Sequence, residues 1–487
     1  MRNPIGTLPI SRSSEKPLRP GRIIPLVVAS ALFMENLDSS VIATSLPAIA
    51  VDIGADPIVL KLAFTAYLLS LAIFIPISGW CADRFGARSV FRAAIAIFTV
   101  ASLACGFAQS LEALVAARFL QGLGGALMVP VGRIIMLRLV PKAELLGAMA
   151  LLTMPALVGP LVGPPIGGFI TTYFHWRWIF WINIPFGILG IVLASRYMPK
   201  LTSASVPKLD LTGFLLVGLG LAATIFGLTT LSRSLLPPLV APILTVIGMT
   251  LLGIYVIHAR RISNAILDLR LLKVETFRSS LLGGSLFRIG AGAIPFLLPL
   301  LLQVGFGLNA FQTGLLMFAS AIGAMSMKLV AIRLLQRFGF RQVLIVNVLI
   351  GSALLGANAL LTAHTPYWVM FALFLTGGFF RSLQFTSVNA LAYADMGEGD
   401  MSRASTFSNV AQQLSASLGV ALAAFVVEAL LEMDHGRVLG ADELRLAFIA
   451  VAAVSATAIL VHLRLPPEAG HALSGHGLPR RQEVPAE

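Results

Sequence analysis

Glu35 and Asp38 stand three residues apart in an otherwise apolar run, 24–49, so both carboxylates share one face of a helix. At 1.5 Å per residue they lie ~20 and ~24 Å along that helix from Arg22, near the middle of a bilayer. An ionised carboxylate there costs several kcal/mol unless it is paired, hydrated or protonated, and each remedy asks for a polar interior. Burial disfavours the charged form, so a carboxyl at Asp38 could take up and release protons. A fixed ion pair is the other reading, and for Glu35 it stands equally. Arg118 opens RFLQGLGGA in a different apolar run and needs a partner. Asp38 is the candidate, and proton uptake there would release Arg118. A permanent tie of Arg118 to backbone carbonyls is the alternative.

More intramembrane cations follow downstream: Arg288, Lys328 and Arg381. Arg288 lies ~15 Å into its helix from Arg278, too deep to snorkel easily, whereas Lys328 is close enough to Arg333 to reach the surface. Arg381 shares its helix with Gln384, Thr386 and Asn389, a polar stripe suited to a water-filled cavity. Another stretch, GPLVGPPIGG, carries Gly159, Pro160, Gly163, Pro164, Pro165, Gly167 and Gly168. Pro removes backbone donors and Gly admits a close neighbour, so a bend with a smooth face is expected, acting as seal or hinge. Packing alone would also account for the glycines.

The elements that must hold these residues are membrane spans. Hydrophobic residues make up 57% of the 487 and charged ones 12%, with mean hydropathy +0.89, far from soluble usage. Fourteen apolar runs stand near 24-49, 57-81, 90-109, 112-136, 145-172, 178-197, 211-231, 237-258, 279-303, 313-334, 342-362, 366-391, 405-430 and 444-464. With the N-terminus inside, most of the 35 Lys and Arg fall in inner segments, which predicts both termini in the cytoplasm. Glu35 and Asp38 interrupt the first run, which is too long for a signal peptide, so a retained helix is expected. The net charge of +13 is spread over short loops, which suits anionic lipid headgroups rather than nucleic acid. Cys81 and Cys105 offer no disulfide framework, and the scattered His no metal site.

GWCADRFGARSV, Gly79 to Val90, has a second version in QRFGFRQV, Gln336 to Val343, and each lies between long apolar runs. Internal duplication follows, with Gly86 and Gly339 suited to tight turns. It divides the chain into a cytoplasmic tail 1-23, a six-helix bundle 24-200, a linker 201-270 with two extra spans, a second six-helix bundle 271-464 and a disordered cytoplasmic tail 465-487. Under this repeat Arg288 takes the place of Glu35, and the two could face each other across the cavity. The second copy has Gln336 where the first has Asp83. A helix N-cap is the simpler reading of Asp83.

These motifs resemble the major facilitator superfamily, in its fourteen-span drug:proton antiporter branch. GWCADRFGARSV is similar to the family's cytoplasmic loop motif and LDSSVIATSLPAIA to its first-helix motif. RFLQGLGGA resembles the fourth-helix arginine motif, GPLVGPPIGG the antiporter motif and WRWIFWINIPFG a sixth-helix signature. The resemblance implies an all-α polytopic fold of two pseudo-symmetric six-helix bundles working by alternating access. It implies Asp38 and Arg118 in proton coupling; Glu35 stands where the family usually has an uncharged residue, and it joins them here by its place on the same helix face. It implies Gly79, Asp83, Arg84, Gly86 and Arg88 with Arg337, Gly339 and Arg341 in a cytoplasmic latch, and the Gly/Pro bend opposing leak.

The expected protein is therefore a monomeric proton-coupled exporter of small molecules in the plasma (inner) membrane, with no cofactor. Glu35, Arg288, Arg381, Gln384 and Asn389 would line its substrate cavity. The cations there favour organic anions or metal-carboxylate chelates beside cationic drugs. A proton-coupled importer and a non-transporting sensor are the alternatives. No Ser/His/Asp grouping, HExxH or phosphate-cradling loop points to an enzyme.

Overall fold

The computed structural model describes residues 20–139, 142–199, 208–231, 237, 239–262, 264–397, 400–433 and 439–476, and its regular elements are helices throughout. A helix stands at every apolar run. In the first half these are Pro20–Val41, continued to Asp52, then Lys61–Phe85, Ala87–Phe107, Leu111–Leu139, Lys142–Tyr173 and Trp178–Tyr197. Leu211–Thr230 and Val240–Arg261 follow as the extra pair. The second half has Glu275–Gly305, Ala310–Lys328, Ala331–Leu360, Tyr367–Leu391, Met401–Met433 and Ala441–His462. All but Lys142–Tyr173 have, over the described residues, the length and hydropathy to cross a bilayer. They are numbered below as spans one to fourteen. The eighth span shows why lipid must be the solvent: its mean hydropathy is 2.3 while only 17% of its apolar window is buried.

The duplication seen in the octets recurs in the packing. In the first half, span one packs on five, two on four, three on four and three on six. The second half repeats the pattern as nine on thirteen, ten on twelve, eleven on twelve and eleven on fourteen. The halves then meet where five crosses ten and where two crosses thirteen, again related by the repeat. The seventh span leans on both second and thirteenth, so the extra pair sits beside this seam. At one end of it Asp268 binds Arg270 at 3.0 Å and Arg403 of the thirteenth span at 3.2 Å. Burial pushes the Asp268 carboxyl up, but the Arg270 hydrogen bonds and the two arginine charges hold it below its ordinary range.

Both repeat glycines sit in backbone that side chains avoid: Gly86 at φ 86°, ψ 128° and Gly339 at φ 73°, ψ 166°. Each separates a short helical stretch from the next span. Gln336 to Val343 is thus helix on both sides of Gly339, and that one residue makes the tight turn. Gly86→Ala or Gly339→Ala should each cost about 1–3 kcal/mol in strain. Thermal unfolding in detergent checks this, and an unchanged midpoint for both would contradict it.

The fifth-span helix runs from Lys142 to Tyr173, so the expected bend at Pro160, Pro164 and Pro165 falls within one continuous helix. One expectation is corrected here: the tail is not structureless from 465. Leu465 and Ala469 are buried against the second repeat, Gly470 abuts Phe340, and His476 Nδ1 lies 3.1 Å from the Gln336 carbonyl. Its apolar residues are too few to show a period, yet they find a cluster already formed by spans eleven and twelve. Residues 1–19, 200–207 and 477–487 of the expected tails and linker lie outside the described residues.

Candidate functional site

The first span brings Asp38 into the interior of the first half, where its side chain and that of Arg118 are each 1% exposed. Arg118 Nη1 donates to Asp38 Oδ2 at 2.6 Å. Gln121 Nε2 and Asn183 Nδ2 both donate to Oδ1 at 2.8 Å, and Gln121 Nε2 also reaches Ser102 at 2.7 Å. Spans one, three, four and six thus converge on one carboxylate. All three of its partners are donors, an arrangement that suits the ionised form. Both lone pairs of Oδ1 are taken, so a proton there would meet a donor head-on, whereas one on Oδ2 would share that oxygen with Arg118 and remove the charge that holds it. Arg118 keeps other company when that happens: it donates to Gln121 Oε1 at 2.5 Å and lies over the Tyr67 ring at 4.3 Å.

Glu35 joins the same network rather than facing Arg288. The Tyr67 hydroxyl donates to Glu35 Oε1 at 3.2 Å, while Arg288 Nη2 donates to Asn389 Oδ1 at 2.7 Å and stacks over Phe385 at 5.1 Å. The repeat places the two helices equivalently, but Glu35 turns toward Tyr67 within its own half, while Arg288 lies beside Asn389 on the cavity wall.

A central cavity of about 610 Å³ lies between the halves. Ser39, Ser40, Ala43, Pro160 and Pro164 line it from the first half, and Arg288, Lys328, Arg381, Thr386, Asn389, Gln412 and Gln413 are among its lining from the second. No acid is among its described lining residues, so its polar wall is cationic. Arg381 Nη2 donates to Ser320 Oγ at 2.8 Å on the tenth span. Lys328 is exposed at its helix end, on the cavity rim. The expected stripe on the twelfth span splits: Gln384 is fully buried and faces Asn347 at 2.8 Å and His462 at 3.3 Å inside the second half. Ser39 and Ser40 immediately follow Asp38, so movement at the carboxylate reaches the cavity wall within a turn of helix.

The Gly/Pro stretch presents two flat sides. Gly159, Gly163 and Gly167 let the fifth span lie against Asn36, Leu37, Ser40 and Val41 of the first, where a Cβ would strike side chain or backbone. Gly168 faces the Ala310 carbonyl, and Gly314 the Pro164 carbonyl, across the boundary between halves. The same end is closed by Gln303 Nε2 donating to the Thr44 carbonyl at 2.9 Å and the Phe311 amide donating to Thr172 at 3.0 Å. On the charge topology of the sequence this is the outer end.

At the other end, Asp83, Arg88 and Arg341 each bind a residue of their own half. Asp83 lies near the C-terminus of its short helix, so it is no N-cap, and it pairs with Arg138 of the fourth span at 2.6 Å. Arg88 donates to the Ser195 carbonyl, and Arg341 to that of Leu463 at 3.1 Å. Arg84 and Arg337 are exposed, the latter beside Phe338, and a Cβ at Gly79 would just touch Ile134.

Sequence reasoning passed over Gln121, Asn183, Ser102 and Tyr67. Gln121 was legible in principle, three residues from Arg118 and so on the same helix face. It also passed over a buried ion pair at the outer end between Lys61 and Glu428, at 2.7 Å.

The sequence model described as Major Facilitator Superfamily matches residues 28–268 and 280–485. The chain is 38% identical over 403 residues to MdtD of Escherichia fergusonii, a protein named for multidrug resistance, covering 82% of this chain and 85% of that one. It is 37% identical over 402 residues to the protein of the same name from Pectobacterium carotovorum, covering 82% and 86%. Among solved structures, a D-xylose-proton symporter superposes with a TM-score of 0.65 at 16% identity, over 92% of this chain and 98% of that one. At that identity the likeness is one of fold.

Proposed function

The chain belongs to the major facilitator superfamily, and from that premise we propose that this multi-pass inner-membrane transporter exports small molecules in exchange for protons. Its substrates include organic anions, among them carboxylates and metal-carboxylate chelates. It is a transporter and no enzyme, as its family is.

The observation that carries the coupling is the Asp38 carboxylate, buried under three donors and directly preceding two residues of the cavity wall. In the outer-closed arrangement described here, ionised Asp38 holds Arg118 and the cavity receives its solute. Separation of the halves at the outer end would expose the solute to the exterior. A proton taken up by Asp38 on that face then displaces a donor and loosens Arg118, which changes how the first span sits against the fourth and sixth. Return to the outer-closed state delivers the proton to the cytoplasmic side. Exchange is obligatory if the halves cannot return with Asp38 ionised and the cavity empty.

The substrate reading rests on the wall. Arg288, Arg381 and Lys328 face it with no acid opposite among the described lining, and guanidinium groups pair with carboxylates through charge-assisted hydrogen bonds. Arg288→Ala should therefore lower organic-anion export about 10- to 100-fold, the value of one hydrogen bond to a charged group. A lipophilic cation should leave at its usual rate. Transport of both classes in proteoliposomes checks this, and undiminished anion export by intact protein would refute the anionic class.

A further inference from the structure

The two crossings between the halves are equivalents under the repeat, yet they close differently at the outer end. Where span five meets ten, backbone packs on glycine, Gly168 on Ala310 and Gly314 on Pro164. Where two meets thirteen, Lys61 Nζ meets Glu428 Oε2 at 2.7 Å, with side chains 1% and 2% exposed. Leu60 and Phe64 beside Lys61 in the chain, and Ala424 and Val427 beside Glu428, belong to one apolar cluster drawn from both halves. Lys61 is the first residue of its helix and Glu428 lies near the end of its own, so the pair sits at the rim of the closed face.

We propose that Lys61 and Glu428 are the release element of the outer gate. They fix the register of the closed halves while keeping the cost of parting them low. An ion pair taken out of water loses most of its attraction to desolvation, and well-packed apolar residues in its place would hold the closed face as tightly or more tightly. When the face opens the balance differs again. Parted apolar surfaces forfeit the whole of their burial, whereas both charges recover hydration as water enters. A carrier must populate both faces, so the gap between them has to stay small. At the glycine crossing the seal is shape, and at this one it is charge. The pair also discriminates register, since a shifted closure would pull the two charges apart inside the apolar cluster. The inference rests on the exchange between faces proposed above, and its test reads the gate by a signal that does not depend on transport.

Ala424 is fully buried one turn from Glu428 on the same helix, so Ala424→Cys reports outer opening. With Cys81 and Cys105 replaced by Ala, a membrane-impermeant maleimide is added to intact cells and the labelling rate followed. The apolar double variant Lys61→Met/Glu428→Leu should label about tenfold more slowly than the natural pair, the effect of an extra 1.4 kcal/mol on closure. Glu428→Gln, which removes the carboxylate 2.7 Å from the buried Lys61 ammonium, should label about tenfold faster or more. The exchanged pair, Lys61→Glu/Glu428→Lys, should label within about threefold of natural, since the pair's charges and not their order carry the effect. Natural-rate labelling in the apolar double variant overturns the proposal. So does labelling by Glu428→Gln that is no faster, an independent arm if the apolar variant fails to fold. If the variants gate as expected while no solute moves against a gradient in any of them, the exporter reading fails and this one stands.

Discussion

Asp38→Asn should reduce uphill export to background, at least 100-fold below the natural protein, while solute exchange down a gradient persists. The amide is the right size and its oxygen can still accept from Gln121 and Asn183. Its NH2 group, however, replaces the oxygen that accepts from Arg118 at 2.6 Å. Nothing at the position can then carry a proton, so the step that ties solute movement to the proton gradient is gone. The substitution also leaves a guanidinium buried opposite a donor, and removing one partner of a buried pair costs about 3–5 kcal/mol. The Gln121 Oε1 contact and the Tyr67 ring offset part of that cost. Proteoliposomes with an imposed pH difference separate the two effects. Accumulation should vanish while counterflow of preloaded solute continues, and Asp38→Glu should restore part of the accumulation. Full accumulation by Asp38→Asn would remove Asp38 from the coupling and with it the proposed cycle.

The second large effect is steric. A side chain at Gly168 would run into the Ala310 carbonyl of the other half, and one at Gly314 into the Pro164 carbonyl. Neither obstacle is the flexible end of a side chain, so the halves must part to make room. Gly168→Val and Gly314→Val are therefore expected to wedge the outer face open. The protein remains folded, because under the proposed cycle this seam is one that opens, but transport falls to background. Gly163→Val makes the contrast. There the new atoms would strike Ser40 within the same half. Overpacking a seam that never opens should cost about 1–3 kcal/mol or more and appear as lost yield and a lower melting temperature. Maleimide labelling of Leu301→Cys, fully buried in the cluster shared by both halves, distinguishes the two: fast in Gly168→Val, slow in Gly163→Val. Normal transport by Gly168→Val would show that closure does not need this contact.

Much of this site was legible because charge is scarce in an apolar chain. A buried cation has few acids to choose from, so Arg118 and Asp38 could be matched across 80 positions without coordinates. The same economy failed for Lys61. A lysine at the edge of an apolar run reads as one that snorkels to the headgroups, and Glu428 stands 367 positions away near the end of another. Nothing local says that both edges belong to one crossing. Gln384 and Asn389 show the limit on a single helix: five residues put them on different faces, and only the neighbours say which face is wet.

What the sequence determined by itself is whatever depends on one segment against its solvent. Apolar length made the spans, repeated octets declared the two halves, and the placement of glycine between helices set the turns at Gly86 and Gly339. The tertiary structure decided what depends on which segments meet. It drew Glu35 to Tyr67 and Arg288 to Asn389, docked the tail on the second repeat, and joined Lys61 to Glu428. The physical reason is that hydropathy and backbone conformation are properties of a residue and its chain neighbours, whereas the partner of a buried polar group is set by how helices cross. That crossing is fixed by many shallow packing contacts at once, none of which is written in any one stretch of sequence.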